Sequence, residues 1–197
     1  MHNNTFTPIS EIGENKLIEI ISKKFINKQD NTILGIGDDS AILKHSAANH
    51  TVISTDMLVE GVHFDLMYTP LKHLGYKAIV VNVSDVCAMN SSAKQVLVSL
   101  AIPNKYSVEM IEEIYEGILS ACVNYSIDLV GGDTTASAGG LVISVTILGD
   151  SPKKRIVKRS GANANDLIVV TGNLGGAYLG LQILEREKMI FTDNSNM

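Results

Sequence analysis

The amino-acid sequence predicts an α+β domain in which a mixed, mainly antiparallel sheet is covered by helices on one side. Two observations carry this prediction. Short runs rich in Val, Ile and Leu recur between turn residues along the first 150 positions, which is typical of strands. Two or three long helical segments also precede Asp150, enough to cover one face of such a sheet.

The first predicted elements are a helix and a series of strands. Residues 14–27 carry apolar side chains at spacings of three and four, which predicts an amphipathic helix. Residues 33–43 are read as a strand, a polar Gly-Asp-Asp break and more strand. Three further strands are expected over residues 51–57, 95–103 and 141–150, and a shorter one over 127–133.

Two long helices separate these strands. Thr69-Pro70 predicts a helix start, with Thr69 as the N-cap and Pro70 as the first helical residue, and this helix continues to about Met89. Ser107 is expected to cap the second helix, because acidic residues follow it in the first turns and suit the positive end of the helix dipole.

The composition changes at Asp150, which suggests two domains. Residues 1–150 are predicted to form one domain, and residues 151–197 a linker followed by the start of a second, α/β domain. The linker is basic, polar and rich in turn residues. Beyond it, a strand is expected from Leu167, then a Gly-rich turn and a helix. Such a unit cannot bury its apolar faces alone, so we expect the second domain to be truncated in this chain.

Composition and charge exclude several classes of protein. Hydrophobic residues make up 45% of the 197 positions and charged residues 19%, a balance that predicts a folded chain. The net charge of −5 lacks the basic field of a nucleic-acid binder. No apolar run approaches the ~20 residues of a membrane span, and the polar N-terminus has no signal-peptide core, so we expect a cytoplasmic protein. Cys87 and Cys122 form no CxxC pair, which argues against a disulfide framework.

Acidic residues stand at the ends of several apolar runs. Turns beyond strand ends are where α/β and mixed folds build sites. Asp85 differs, since it lies inside an apolar helix with Asn82 one turn before it. Any one Asp alone is more typical of a turn or a cap, but the set together with Ser and Thr oxygens favours a hard cation such as magnesium. The strand-end residues are Asp38, Asp39, Asp56 and Asp133.

Other signals are weaker. Gly131-Gly132-Asp133 and the turn at Gly172 could each let a phosphate approach the backbone, although tight turns explain both equally well and neither is a P-loop. His63 is the only histidine beside a candidate site residue, and an ordinary surface histidine is the alternative. No nucleophile–base pair supports a serine or cysteine hydrolase.

Taken together, these motifs resemble the thiamine-monophosphate kinase family, in the order and spacing that this family uses. The matching strings are GIGDDSAIL, ISTDMLVEGVHF, YKAIVVNVSDVCAM, DLVGGDTT and VKRSGANANDLIVVTG, which extend the likeness over residues 14–186. The wider superfamily includes aminoimidazole ribonucleotide synthetase, selenophosphate synthetase and a hydrogenase-maturation protein. STDMLVEGVHF and GGDTT favour the thiamine kinase.

The resemblance implies ATP-dependent phosphorylation of thiamine monophosphate to thiamine diphosphate, by direct phosphoryl transfer assisted by several magnesium ions. It implies that His63 contacts the thiamine phosphate substrate and that Gly132, Asp133 and Arg159 contact ATP. Asp38 neighbours a ligand and is expected to act through hydrogen bonds. The residues that match magnesium-binding positions are Asp39, Ser54, Thr55, Asp56, Asp85 and Asp133.

The resemblance also implies a homodimer. In the family, the sheets of two such domains pair to form a barrel, with the ATP and magnesium sites near the interface. This chain's strands 51–57, 95–103 and 141–150 are apolar at nearly every position, so their second face needs a cover. The family's second domain carries an SDG-type and a GGEDYE-type motif, and neither occurs here. Two alternatives therefore stay open: another ATP-dependent synthetase of the superfamily, or a non-catalytic metal- and nucleotide-binding dimerisation fragment.

Overall fold

The fold is that of a computed structural model, which describes residues 29–36 and 38–194 and the isolated residues Ile12, Lys16, Glu19 and Lys23. Apart from three of these isolated positions, the helix predicted over residues 14–27 lies outside the described residues. In the part of the chain that is described, no helix is both long enough and apolar enough to cross a membrane.

A six-stranded sheet forms the framework. The strands are ordered β1-β2-β3-β6-β4-β5, and neighbours run antiparallel except β4 and β5, which are parallel. The predicted mixed and mainly antiparallel sheet is therefore confirmed. The strands are β1 (Thr32–Leu34), β2 (Ala41–Lys44), β3 (Asn49–Val59), β4 (Ser92–Pro103), β5 (Asp128–Ser137) and β6 (Val142–Pro152).

Helices cover one face of this sheet. Helix α1 (Leu71–Ala88) packs on β3, β4 and β6, and helix α2 (Val108–Tyr125) packs beside α1. The Ser107 hydroxyl accepts a hydrogen bond from Met110 N–H at 3.4 Å, so the predicted cap is confirmed. The predicted start of α1 is wrong by one residue: Pro70 is the N-cap, because its carbonyl accepts the first helical bond, from Leu74 N–H.

Two glycines allow the backbones of α1 and α2 to touch. A Cβ added to Gly75 would lie 1.9 Å from the Ile114 carbonyl oxygen, and one added to Gly117 would lie 1.9 Å from the Lys72 carbonyl oxygen. These distances are far below van der Waals contact. Each glycine is therefore required by the opposite helix.

The strands alternate in burial more clearly than their sequences predict. Along β6, Ile143, Val145 and Ile147 are buried beneath the helices, whereas the residues between them are only half-buried. We call the side of the sheet away from the helices the open face. It carries Thr and Ser hydroxyls together with apolar groups such as Met57, which is 56% exposed.

The region after β6 differs from the prediction. Residues 167–170 form no strand, and Leu167 and Ile168 are 90% and 95% exposed. An isolated strand leaves its backbone N–H and C=O groups without partners, and the described residues offer no neighbouring strand at this position. The predicted helix is present as α3 (Gly176–Asn194). A short 3-10 helix at Lys153–Arg155 directly follows β6.

Candidate functional site

The centre of the site is a contact between strand β3 and helix α1. Ser54 Oγ lies 2.8 Å from Asp85 Oδ2 and 3.1 Å from the Asp39 carbonyl oxygen. Ser54 is on the helix-covered side of β3, and Asp85 is on α1 above it. This contact explains why a carboxylate occurs inside an apolar helix, because burying a charged group is costly unless it is hydrogen-bonded.

An arginine from beyond β6 completes this centre. Arg159 Nε donates to Asp39 Oδ1 at 3.0 Å, and a terminal guanidinium nitrogen contacts the same oxygen. The hydrogen bond and charge of Asp39, supported by the charges of Asp38 and Asp85, raise the pKa of Arg159 above its ordinary value. The guanidinium therefore stays cationic and lies among three carboxylates.

Asp38 ties this arginine's backbone to the loop before β2. Its carboxylate accepts Asp39 N–H at 3.0 Å and Arg159 N–H at 3.2 and 3.3 Å. The second contact joins residues 121 positions apart in the chain. These contacts show which groups the Asp38 carboxylate binds, and its expected action through hydrogen bonds stays a prediction.

The donor set around this centre suits a hydrated divalent cation. Ser40 Oγ and Asn82 Oδ1 are buried and have no hydrogen-bond partner among the described residues. Ser40 follows Asp39, and Asn82 lies one helical turn before Asp85. Within that described part, no three His, Cys, Asp or Glu side chains approach closely enough to bind a metal by themselves. Hydroxyl, amide and phosphate oxygens would have to complete the coordination, which is the chemistry that magnesium favours.

The strand geometry separates Thr55 from Ser54 and Asp56. Successive residues of a strand point to opposite faces, so Asp56 shares the helix-covered side with Ser54. The Thr55 hydroxyl lies on the open face, where it donates to the Val145 carbonyl at 3.1 Å and also lies 3.1 Å from Thr146 Oγ1. The structure does not bring the Thr55 hydroxyl together with Ser54 and Asp85.

Gly132 and Asp133 lie on the edge strand β5. Asp56 of β3 pairs with Val145 of β6, Val145 with Val98 of β4, and Val98 with Gly132 of β5. The backbones at Asp56 and Gly132 are therefore three strand spacings apart, roughly 14 Å. A Cβ on Gly132 would lie 1.8 Å from the Val98 carbonyl oxygen, so the close approach of β4 requires glycine here. Asp133 is the next residue of β5 and pairs with Ser99, so alternation directs it to the open face, and the structure does not bring it together with the Asp39–Ser54–Asp85 contact.

Helix α2 adds a residue that the sequence did not single out. Tyr115 lines a cleft of about 550 Å³ together with Gly132 and Asp133, and also borders an apolar groove of about 1060 Å³ between α2 and β5. Burial raises the pKa of Tyr115. In the sequence this tyrosine is indistinguishable from other aromatic residues on the apolar face of a helix, so no local signal could have found it.

His63 lies in the turn between β3 and α1. Its Nδ1 accepts the Val59 N–H at 3.0 Å, so in the neutral ring the proton is on Nε2. Its carbonyl accepts the Lys77 ammonium at 2.9 Å. The ring is thus oriented by the backbone, and Nε2–H is its remaining donor.

Comparisons with known proteins assign this fold. The family model described as "AIR synthase related protein, N-terminal domain" matches residues 37–150. The chain belongs to this family. The match covers the sheet from β2 to residue 150 in β6 and includes Asp39, Ser54, Asp85 and Asp133, whereas Arg159 lies beyond it.

Two curated relatives that match most of this chain are both named thiamine-monophosphate kinase. The thiamine-monophosphate kinase of Bacillus subtilis (strain 168) is 39% identical over 176 residues, covering 89% of this chain and 54% of the relative. That of Buchnera aphidicola subsp. Acyrthosiphon pisum is 40% identical over 182 residues, covering 91% and 54%. The chain therefore spans about half the length of the curated relatives it matches.

Solved structures agree with these relatives. The structure of AaThiL complexed with AMPPCP and TMP superposes with a TM-score of 0.82 at 36% identity, covering 93% of this chain and 56% of that one. The thiamine monophosphate kinase from Aquifex aeolicus gives a TM-score of 0.75 at 35% identity, covering 92% and 56%. The α+β fold predicted from the sequence is the fold of this AIR synthase related domain.

Proposed function

We propose that this protein is an ATP-dependent kinase that phosphorylates thiamine monophosphate to thiamine diphosphate. The observation that carries the proposal is the centre in which Ser54, Asp85, Asp39 and Arg159 are in contact. It is supported by the likeness to a structure complexed with AMPPCP and TMP. Such a centre offers oxygen ligands and one cation but no activated nucleophile, which fits direct transfer between two phosphates.

Each part of the centre has a role in this proposal. Asp39, Ser54, Asp56 and Asp85 would hold magnesium. The family resemblance adds Thr55 and Asp133 as further ligands, but the Thr55 hydroxyl lies on the opposite face of β3 from Ser54. When bound, the metal neutralises phosphate charge. Arg159 binds a phosphate of ATP, and Gly132 and Asp133 border the nucleotide in the cleft that Tyr115 lines. His63 donates Nε2–H to the phosphate of thiamine monophosphate, because its Nδ1 already accepts a backbone N–H.

The proposed organisation follows the two compositional halves of the chain. Residues 1–150 bind magnesium and ATP and form the dimer, and residues 151–197 are a linker and the start of a second domain. The exposed Leu167 and Ile168, and the exposed Leu179 and Ile183 of α3, support this view, since such apolar groups are normally covered. A cytoplasmic location remains a prediction from the sequence.

The function is tested with the product of the whole reading frame. Magnesium–ATP together with thiamine monophosphate should raise the unfolding temperature beyond the effect of nucleotide alone, and a coupled assay should detect ADP formation. Stabilisation by an aminoimidazole ribonucleotide or by selenide instead would assign the protein to another synthetase of the superfamily. Nucleotide binding without turnover of any of these would favour a binding module.

The proposed homodimer is tested through the open face. We expect the protein to be a dimer by light scattering and Met57→Lys to shift it toward the monomer, because a charge would be buried where two sheets pair. Val108→Lys, at a residue that is 70% exposed at the start of α2, is the matched control and should leave the dimer unchanged. A wild-type monomer, or equal effects of the two substitutions, would contradict the pairing of open faces.

A further inference from the structure

Glu60 is a largely buried carboxylate that the proposed metal and nucleotide contacts do not use. It follows β3 directly, and its side chain is 15% exposed. Glu60 Oε2 accepts Leu141 N–H at 2.8 Å and the Tyr106 hydroxyl at 3.2 Å, and Oε1 accepts the Lys105 ammonium. One side chain thus connects three segments: the β3–α1 turn, the β4–α2 turn and the start of β6.

The surroundings of Glu60 are shaped around it. Its own backbone N–H donates to the Leu141 carbonyl at 2.9 Å, so Glu60 and Leu141 are joined by two hydrogen bonds in opposite directions. A Cβ added to Gly140 would lie 2.9 Å from the Cβ of Glu60, so a side chain at that position would press on the glutamate. Burial alone would raise the pKa of Glu60, but the bonds from Lys105, Leu141 and Tyr106 outweigh it and lower that pKa, which keeps the side chain anionic.

The turn that Glu60 anchors is the one that orients His63. Val59, the residue before Glu60, donates its N–H to His63 Nδ1 at 3.0 Å and accepts His63 N–H on its carbonyl at 2.9 Å. The turn closes with Gly61 N–H donating to the Phe64 carbonyl at 2.8 Å. The position of the His63 ring therefore depends on the backbone at Val59–Glu60. Val59 pairs with Val142 of β6, and the Glu60 carboxylate adds the bond from Leu141 N–H at the end of this pairing.

We propose that Glu60 is a positioning residue for His63, holding its ring in the Nε2–H form with that donor directed at the phosphate of the acceptor substrate. The substrate part of this inference rests on the proposed kinase function. The part that concerns His63 itself does not, because it follows from contacts within this chain. Glu60 touches neither ATP nor the acceptor in this proposal and acts only through the turn.

The first test reads the histidine directly. In the 197-residue chain labelled with ¹⁵N, long-range nitrogen–proton NMR spectra of His63 should show a single Nε2–H tautomer. We expect Glu60→Ala to mix the two tautomers, and Glu60→Gln to restore the wild-type pattern in part, because the amide oxygen can still accept Leu141 N–H. Glu116→Gln is the control. Glu116 is an exposed residue of α2 whose carboxylate pairs with Lys72 of α1. Unchanged His63 signals in folded Glu60→Ala would overturn the inference.

A second, milder variant covers the case in which the Glu60 variants do not fold. Tyr106→Phe removes one hydrogen bond to Glu60 and keeps the ring, so we expect the same change in the His63 spectrum at reduced size. A folded Tyr106→Phe with the wild-type spectrum would then overturn the inference.

Kinetics separate this inference from the proposed function. In the whole gene product, Glu60→Gln should raise KM for thiamine monophosphate about fivefold to tenfold, the size expected for a misaligned hydrogen bond, and leave KM for ATP unchanged. Equal increases in both constants would contradict a role specific to His63. If the wild type does not turn over thiamine monophosphate but the His63 spectrum responds to Glu60, the kinase proposal fails and the positioning role remains.

Discussion

Asp39→Asn should remove the magnesium-dependent part of ATP binding from this protein. The substitution takes one negative charge from the centre formed with Ser54 and Asp85, and it deprives the Arg159 guanidinium of its ion-pair partner. Hydrogen bonds to charged groups contribute about 1.5–3 kcal/mol, so we expect magnesium–ATP affinity to fall roughly tenfold to a hundredfold. Calorimetric titration of ATP with and without magnesium measures this difference.

Two variants sharpen that experiment. Glu116→Gln likewise replaces a carboxylate by an amide, but on the surface of α2, and should leave the ATP titrations with and without magnesium unaltered. Arg159→Gln should weaken ATP binding with and without magnesium alike, because the arginine is proposed to bind phosphate rather than metal. A folded Asp39→Asn protein that retains the full magnesium effect would exclude Asp39 as a ligand.

Gly75→Ala should be among the most destabilising single substitutions in the part of the chain that the structure describes. The new Cβ would lie 1.9 Å from the Ile114 carbonyl oxygen, which belongs to the backbone of α2 and cannot rotate away. Overpacking of a core typically costs about 1–3 kcal/mol, and a clash with backbone places this variant at or above the upper end. Urea unfolding followed by circular dichroism should show a midpoint well below that of the wild type.

The chain contains both a partner and a control for this measurement. Gly117→Ala meets the Lys72 carbonyl at the same 1.9 Å, so it should cost a similar amount, and the double variant should cost less than the sum because both widen one contact. Gly180 lies in α3, where nothing beyond the neighbouring backbone of its own helix lies within 4 Å of an added Cβ, so Gly180→Ala should be neutral or slightly stabilising. Equal midpoints for Gly75→Ala and Gly180→Ala would contradict the close packing of α1 on α2.

Local patterns were enough to place most elements. The Ser107 cap and the polar break before β2 follow from side-chain chemistry that acts over a few residues. The strand ends expected at Asp56 and Asp133 were wrong, because both residues lie inside their strands, β3 and β5. Asp85 was identifiable because a carboxylate in an apolar helix requires a specific partner. The strand expected at 167–170 was wrong for the opposite reason: its apolar residues have the composition of a strand, but pairing depends on a second strand that the described chain does not offer.

The sequence by itself determined the order of the elements, the α+β class and the set of oxygen-bearing residues from which the site is built. Only the tertiary structure decided which of them meet. Ser54 and Thr55 are adjacent in sequence, yet alternation along β3 sends their hydroxyls to opposite faces. Asp38 and Arg159 are 121 positions apart, yet β2, β3 and β6 are neighbours in the sheet and bring them into contact. The role of Glu60 likewise arises from three chain segments meeting at one end of the sheet, because strand pairing is a long-range interaction that local propensity does not encode.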